Sequence, residues 1–165
     1  MVGFNKRFYT PRSFFRDLRE MVSHRSQIRE TARSGRVDPA FVEKIMMAVT
    51  AVNGCRYCAY FHTRQALKEG VREDEIARIL SLELGDFPPE EAVALAFAQH
   101  WAETEGKPDP DAERRFREYY GPQVSADILN WMHMINMGNL LGNSWDALLW
   151  RAGLLWRIGI RRGSN

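Results

Sequence analysis

The sequence lacks the long apolar run that a membrane-spanning helix needs. Its longest apolar stretch, residues 45–52 with Thr50 inside it, is far shorter than the roughly 20 residues that cross a bilayer. The first residues carry a basic pair with no apolar stretch behind it, unlike a secretory signal. We therefore expect no membrane contact and, by default, a cytoplasmic location.

The chain also lacks a large excess of charge of one sign. Linkers and strand-like patterns are missing as well. The 165 residues hold 23 basic and 21 acidic side chains in mixture, which leaves no broad positive surface for nucleic acid. No Ser/Gly-rich linker or low-complexity tract divides the chain, and no segment alternates convincingly between apolar and polar residues. We expect one all-α domain over residues 1–165 and no nucleic-acid partner.

Helix signals recur along the chain. Thr10, Asp38 and Asp109 each precede a proline at a first helical position. Glycines that can end a helix stand at positions 35, 70, 106 and 121. Helices are predicted over residues 11–33, 39–52, 55–69, 73–83, 89–105, 110–120 and 122–151, and a further turn could extend to 161. Short connections predict a compact antiparallel bundle of about six to eight helices.

Two of these segments carry further predictions. Residues 45–52 are apolar on every side, which is typical of a helix surrounded by protein, so this helix should form the core. The last long segment is so rich in Trp, Met and Leu that part of it is predicted to form a subunit interface. Sedimentation of a monomer at micromolar concentration would contradict the interface hypothesis.

The chain has only two cysteines, and they lie close together. In a reducing compartment such a pair is more often redox-active or metal-binding than a permanent disulfide. Cys55, Cys58 and His62 are spaced three and four residues apart and share one helical face. His62 leans back over the turn of Cys58, whose proton it is expected to take, and Cys55 is expected to form the disulfide.

The position of the pair also predicts a low thiol pKa. Asn53 and Gly54 ahead of the pair would place both sulfurs in the first turns of a helix, where free amides and the dipole favour a thiolate. Cys55 is therefore a second candidate for the sulfur that attacks the substrate. Glu43, in the first turn of the preceding helix, is expected to orient His62 or accept its proton, directly or through water.

Three alternative roles for these residues stay open. The cysteines could be inert core residues, or Cys55, Cys58 and His62 could bind zinc in a helical interaction module, although no fourth ligand is obvious. The same pair could also act as a disulfide reductase without touching peroxide. His24, His100 and His133 are remote in sequence and are expected to be surface or core residues.

A glutamate twelve residues ahead of Cys-x-x-Cys, with a histidine four residues after it, resembles the AhpD-like alkylhydroperoxidases of the carboxymuconolactone decarboxylase superfamily. The resemblance covers residues 37–82 and is looser around 136–139. It implies a helical homo-oligomer and an antioxidant peroxidase whose cysteines cycle to a disulfide without a bound cofactor or metal. In this family resemblance Glu43, Cys55, Cys58 and His62 form the proton relay.

The resemblance also implies partners, and this sequence differs from a relative at one position of the motif. The partners are a hydroperoxide substrate, a lipoyl-bearing protein or other dithiol as electron donor, and a peroxiredoxin as acceptor. A relative has histidine just before the second cysteine, where this chain has Tyr57; with its usual pKa of about 10, we expect this tyrosine to pack its ring. Decarboxylase relatives lack the cysteine pair, which argues against a lyase role here.

Overall fold

In a computed structural model, the described part of the chain, residues 4–153, folds into seven α-helices and contains no strand. The helices are α1 (Pro11–Ser23), α2 (Arg25–Ser34), α3 (Pro39–Asn53), α4 (Arg56–Lys68), α5 (Glu73–Leu80), α6 (Pro89–Glu103) and α7 (Pro110–Arg151). The predicted all-α fold is confirmed. None of the described helices is both long and apolar enough to span a bilayer.

The three predicted helix starts are confirmed by their capping bonds. The side chains of Thr10, Asp38 and Asp109 accept hydrogen bonds from backbone amides in the first turns of α1, α3 and α7. Each bond satisfies an amide that has no partner within the helix, which stabilises a helix by about 1 kcal/mol. These caps fix where α3, the helix that precedes the cysteines, begins.

One of the predicted boundaries discussed here was wrong, one is confirmed, and one lies outside the described residues. The segment predicted as one helix over 11–33 is divided at His24 (φ −98°, ψ 11°), where the side chains of Ser23 and His24 bond the Glu20 carbonyl in addition to the backbone amide of His24. The predicted break before residue 122 is confirmed within α7, where the backbone of Gly121 (φ 73°, ψ 171°) is not helical and kinks the helix. The further turn to 161 falls beyond residue 153.

The prediction that the helix containing residues 45–52 forms the core is confirmed. Helix α3 packs against α4, α5, α6 and α7. Ile45, Met47 and Val49 are fully buried. Burial of such side chains stabilises a fold by about 1.5–3 kcal/mol each. Because α3 lies inside the bundle, the turn that follows it and carries Cys55 has a fixed position.

Polar contacts attach the C-terminal end of α3 to α7. Thr50 donates to the Asn139 side-chain oxygen (3.1 Å), and the Asn53 amide donates to Asn136 (3.0 Å). The Asn143 amide donates to the Asn53 carbonyl (2.8 Å). These three α7 residues are spaced by three and four positions and so share one helical face. The polar face of α7 therefore sets the position of the turn before the cysteines.

The outer face of α7 carries exposed apolar side chains. Leu141, Trp145, Leu148 and Trp150 are each more than 40% exposed. Apolar side chains grouped on one surface are typical of protein interfaces. The described residues thus provide the kind of surface that the interface hypothesis requires, while the homo-oligomer itself stays a prediction.

Candidate redox site

The turn between α3 and α4 places both cysteines at a helix start. Helix α3 ends at Asn53, and Gly54 adopts a left-handed conformation (φ 66°, ψ 29°) that glycine adopts without strain. Cys55 then caps α4: its sulfur accepts a hydrogen bond from the backbone amide of Cys58 (3.3 Å). The predicted location of the pair in the first turn of a helix is confirmed.

Both cysteines are free thiols and lie against the same point of α7. Cys55 is fully buried, whereas Cys58 is half-buried. A Cβ atom placed on Gly142 would stand 2.7 Å from the Cys55 sulfur and 3.9 Å from the Cys58 sulfur. The two sulfurs therefore pack close to the α7 backbone, where only a residue without a side chain leaves them room.

The two thiols differ in acidity because of how they contact each other. Hydrogen bonding from the Cys58 thiol, together with the backbone amides of Cys58 and Tyr57, lowers the pKa of Cys55 to about 6, although its burial acts in the opposite direction. The pKa of Cys58 is raised, first by donating its proton to Cys55 and then by burial. Above about pH 6 the pair therefore holds one proton, with the negative charge on Cys55.

Glu43 of α3 and His62 of α4 form a largely buried pair. Glu43 Oε2 lies 2.7 Å from His62 Nδ1, and the two side chains are only 14% and 11% exposed. A carboxylate at Nδ1 fixes the imidazole ring and leaves Nε2 to exchange protons. Within residues 4–153, His62 makes no hydrogen bond to either sulfur. The structure thus brings Glu43 to His62, and their role as a proton relay stays a prediction.

A second group of charges surrounds the start of α4. The buried carboxylate of Asp146 on α7 accepts hydrogen bonds from the Tyr57 hydroxyl and from Arg56, both at 2.8 Å. Lys6 Nζ lies 3.5 Å from the other oxygen of the same carboxylate. The hydroxyl of Tyr57 is therefore bound to α7, the residue is 40% exposed, and its expected packing role stays a prediction.

A cavity of about 880 Å³ lies between α1, α2 and α7, apart from the four predicted site residues. Its lining includes Lys6, Trp101 and His133, but neither cysteine, Glu43 nor His62. The cavity is therefore a separate feature, and a substrate that reaches Cys58 would approach through the exposed part of that side chain.

Two comparisons with known proteins found matches. The model of the carboxymuconolactone decarboxylase family matches residues 18–100. An uncharacterized protein of Bacillus subtilis (strain 168), YdfG, is 31% identical over 122 residues, which cover 73% of this chain and 77% of that protein. The chain belongs to the carboxymuconolactone decarboxylase family. This family includes enzymes, and the predicted resemblance to it is confirmed. No solved structure matched the chain.

The family match covers the predicted site residues but not the residues that enclose them. Glu43, Cys55, Cys58 and His62 lie within residues 18–100. Lys6, Gly142 and Asp146 lie outside that range, and none of the three was predicted from the sequence. The spacing of Gly138 and Gly142 on α7 could have signalled a close approach on that helix, but no local pattern marks Lys6 or Asp146. Only the folded chain brings them to the cysteines.

A zinc site gains no support from the geometry. Across the described residues, no three His, Cys, Asp or Glu side chains are grouped so that they could share a metal ion. A structural zinc site needs four ligands arranged as a tetrahedron. Cys55, Cys58 and His62 do not form such a set among the described residues.

Replacing Gly142 with alanine is expected to destabilise the protein and to slow the oxidation of its two cysteines. The added Cβ would overlap the Cys55 sulfur, and such overpacking costs about 1–3 kcal/mol. We expect a lower free energy of unfolding in urea and slower oxidation of the thiols to a disulfide. Gly138→Ala is the matched control, because nothing lies within 4 Å of a Cβ there and alanine favours a helix by up to about 1 kcal/mol. Equal effects of both variants would contradict the close approach.

Proposed function

We propose that this protein is a thiol-dependent peroxidase that reduces hydroperoxides through Cys55 and Cys58, with Glu43 and His62 as the proton relay. The observation that carries the proposal is the pair of free thiols at the start of α4, one of them fully buried with a pKa lowered to about 6. A low-pKa thiol beside a second thiol is typical of redox-active cysteines.

The half-buried sulfur, Cys58, attacks the peroxide in this mechanism. It passes its proton to the Cys55 thiolate and attacks the terminal oxygen of the hydroperoxide, so that the O–O bond breaks. The departing alkoxide takes from His62 the proton that Cys55 released on becoming a thiolate, and it leaves as an alcohol; Glu43, 2.7 Å from the imidazole, holds His62 in place. Cys58 is thereby oxidised to a sulfenic acid.

Cys55 then resolves the sulfenic acid. Its sulfur attacks the Cys58 sulfur, the S–O bond breaks, and the proton that Cys55 received from Cys58 goes to the departing hydroxide, which leaves as water. The net reaction converts two thiols and one hydroperoxide into a disulfide, an alcohol and water. The proximity of both sulfurs to Gly142 supports this step, because attack requires that they meet.

The reversed assignment, in which Cys55 attacks, is the second arrangement of the same chemistry. The lowered pKa of Cys55 favours it, because the thiolate is the nucleophile. The complete burial of Cys55 opposes it, because a hydroperoxide has to reach the attacking sulfur. We place the attack on Cys58 because access is required whichever sulfur carries the charge.

The proposal extends to the electron donor and acceptor. Reduction of the disulfide requires two electrons and two protons from a dithiol, for which a lipoyl-bearing protein is the proposed source, and a peroxiredoxin is the proposed acceptor of electrons. The cysteines store the electrons themselves, so the cycle needs no bound cofactor or metal. Tyr60 and Phe61, which follow Cys58 and are 67% and 56% exposed, offer an apolar surface to such partners.

Thiol counting tests the proposed function. One equivalent of cumene hydroperoxide added to the reduced protein is expected to remove two thiols from each chain without aggregation. With dihydrolipoamide as reductant, turnover of the hydroperoxide should exceed turnover of a model disulfide. Fast reduction of the disulfide without loss of thiols to peroxide would show a disulfide reductase instead. Stoichiometric zinc with unreactive thiols would show an interaction module.

A further inference from the structure

The segment before α1, residues 4–10, lies on α7 close to the cysteines. The Arg7 carbonyl accepts a hydrogen bond from the Asn143 side chain (2.9 Å), and the Tyr9 amide donates to Ser144 (2.9 Å). The same Asn143 amide nitrogen also donates to the Asn53 carbonyl (2.8 Å). The Asn143 side chain thus joins residues 4–10 to Asn53, which lies two positions before Cys55.

These contacts bring the side chain of Lys6 to the turn before Cys55. Its Cε and Cδ atoms lie 3.8 and 3.9 Å from the position of a Cβ atom on Gly54. The ammonium group is 3.5 Å from Asp146 Oδ2, and the side chain is 31% exposed. Asp146 therefore holds the Lys6 ammonium beside the start of α4, in a partly solvated position.

The charges around this turn favour an anion on Cys55. Lys6 and Arg56 carry two positive charges and Asp146 one negative charge, so the group has one net positive charge. The amides at the start of α4 add to this positive potential. The Lys6 charge itself acts on the Cys55 sulfur in the direction that favours the thiolate.

We propose that Lys6 is a positioning residue of the redox pair, because the N-terminal segment brings its ammonium group to the turn before Cys55, where it stabilises the negative charge on that sulfur. The proposal rests on the proposed redox function, yet it concerns ionisation of the thiols and is tested without peroxide. Lys6 lies outside residues 18–100, so this contribution is an addition to the family-matched part of the chain.

The test is the pH dependence of thiolate formation in the reduced full-length protein. Thiolate ultraviolet absorbance and the rate of alkylation by iodoacetamide, with mass spectrometry to locate the label, are measured from pH 4 to 9 in about 20 mM salt. Lys6→Met is expected to lower the thiolate fraction at about pH 5.5 by about threefold. Lys6→Arg should titrate like the unaltered protein. High salt should lower the thiolate fraction of the unaltered protein towards that of Lys6→Met, and it should leave the thiolate fraction of Lys6→Met unchanged.

Lys68→Met is the matched control, because it removes one positive charge from the far end of α4. It should titrate like the unaltered protein. If Lys6→Met leaves the titration unchanged, or if Lys68→Met changes it equally, the proposal is wrong. Absence of hydroperoxide turnover in the unaltered protein, together with a shifted titration in Lys6→Met, would contradict the proposed function and leave the Lys6 proposal intact.

Discussion

Replacing Cys58 with serine is expected to abolish hydroperoxide reduction. The variant loses the half-buried sulfur that the peroxide reaches, and it keeps only the fully buried Cys55. Cys55→Ser should also lose multiple turnover, but it should still react once and stop at a sulfenic acid on Cys58. Turnover with dihydrolipoamide as reductant measures the loss, and a sulfenic-acid reagent with mass spectrometry locates the oxidised sulfur.

The single variants also decide between the two sulfurs. We expect the reagent to trap a sulfenic acid at Cys58 in the Cys55→Ser variant. It should trap none at Cys55 in the Cys58→Ser variant. Trapping only at Cys55 would overturn the assignment and make the sulfur with the lowered pKa the attacking one. Far-ultraviolet circular dichroism of both variants provides the folding control, since serine is close to cysteine in size.

Removing the imidazole of His62 is expected to slow peroxide reduction by about 10²–10⁴-fold, the usual contribution of a positioned acid or base. His62→Gln removes the proton carrier and keeps a polar side chain near Glu43. Glu43→Gln should slow the reaction less, because it removes the charge that fixes the ring but leaves the ring itself. The measurement is steady-state turnover with dihydrolipoamide as reductant.

A matched control is available in a second acid that contacts α3. Glu75 of α5 is 16% exposed, close to the 14% of Glu43, and lies 3.2 Å from Lys44 Nζ. Glu75→Gln should lower stability modestly and leave turnover unchanged, because Lys44 still pairs with Glu91 (2.8 Å). If Glu43→Gln and His62→Gln both turn over like the unaltered protein, the relay is not used.

The local parts of the site were predictable because helical geometry determines them. Spacings of three and four residues placed Cys55, Cys58 and His62 at the start of one helix, and Gly54 before them marked the end of the preceding helix. The contact between Glu43 and His62 required only that two consecutive helices pack against each other. In the same way, the apolar sequence of residues 45–52 was sufficient to predict the central helix.

The remaining parts depend on contacts that local patterns do not contain. The helix break at His24 lies in a stretch without glycine or proline, and it coincides with side chains that bond the Glu20 carbonyl. The acidity of Cys55 rather than Cys58 depends on which thiol donates to the other. Asp146 contacts Arg56 across 90 residues, so its role became visible only in the folded chain.

The contact between the sulfurs and Gly142 bears on how small a working fragment can be. A fragment restricted to residues 18–100 would contain each of the four residues proposed to perform the chemistry. It would lack the helix that covers the Cys55 sulfur and the asparagines that hold the preceding turn. Dissection to the family-matched portion would therefore expose Cys55 to water and remove the contacts that position the turn before it.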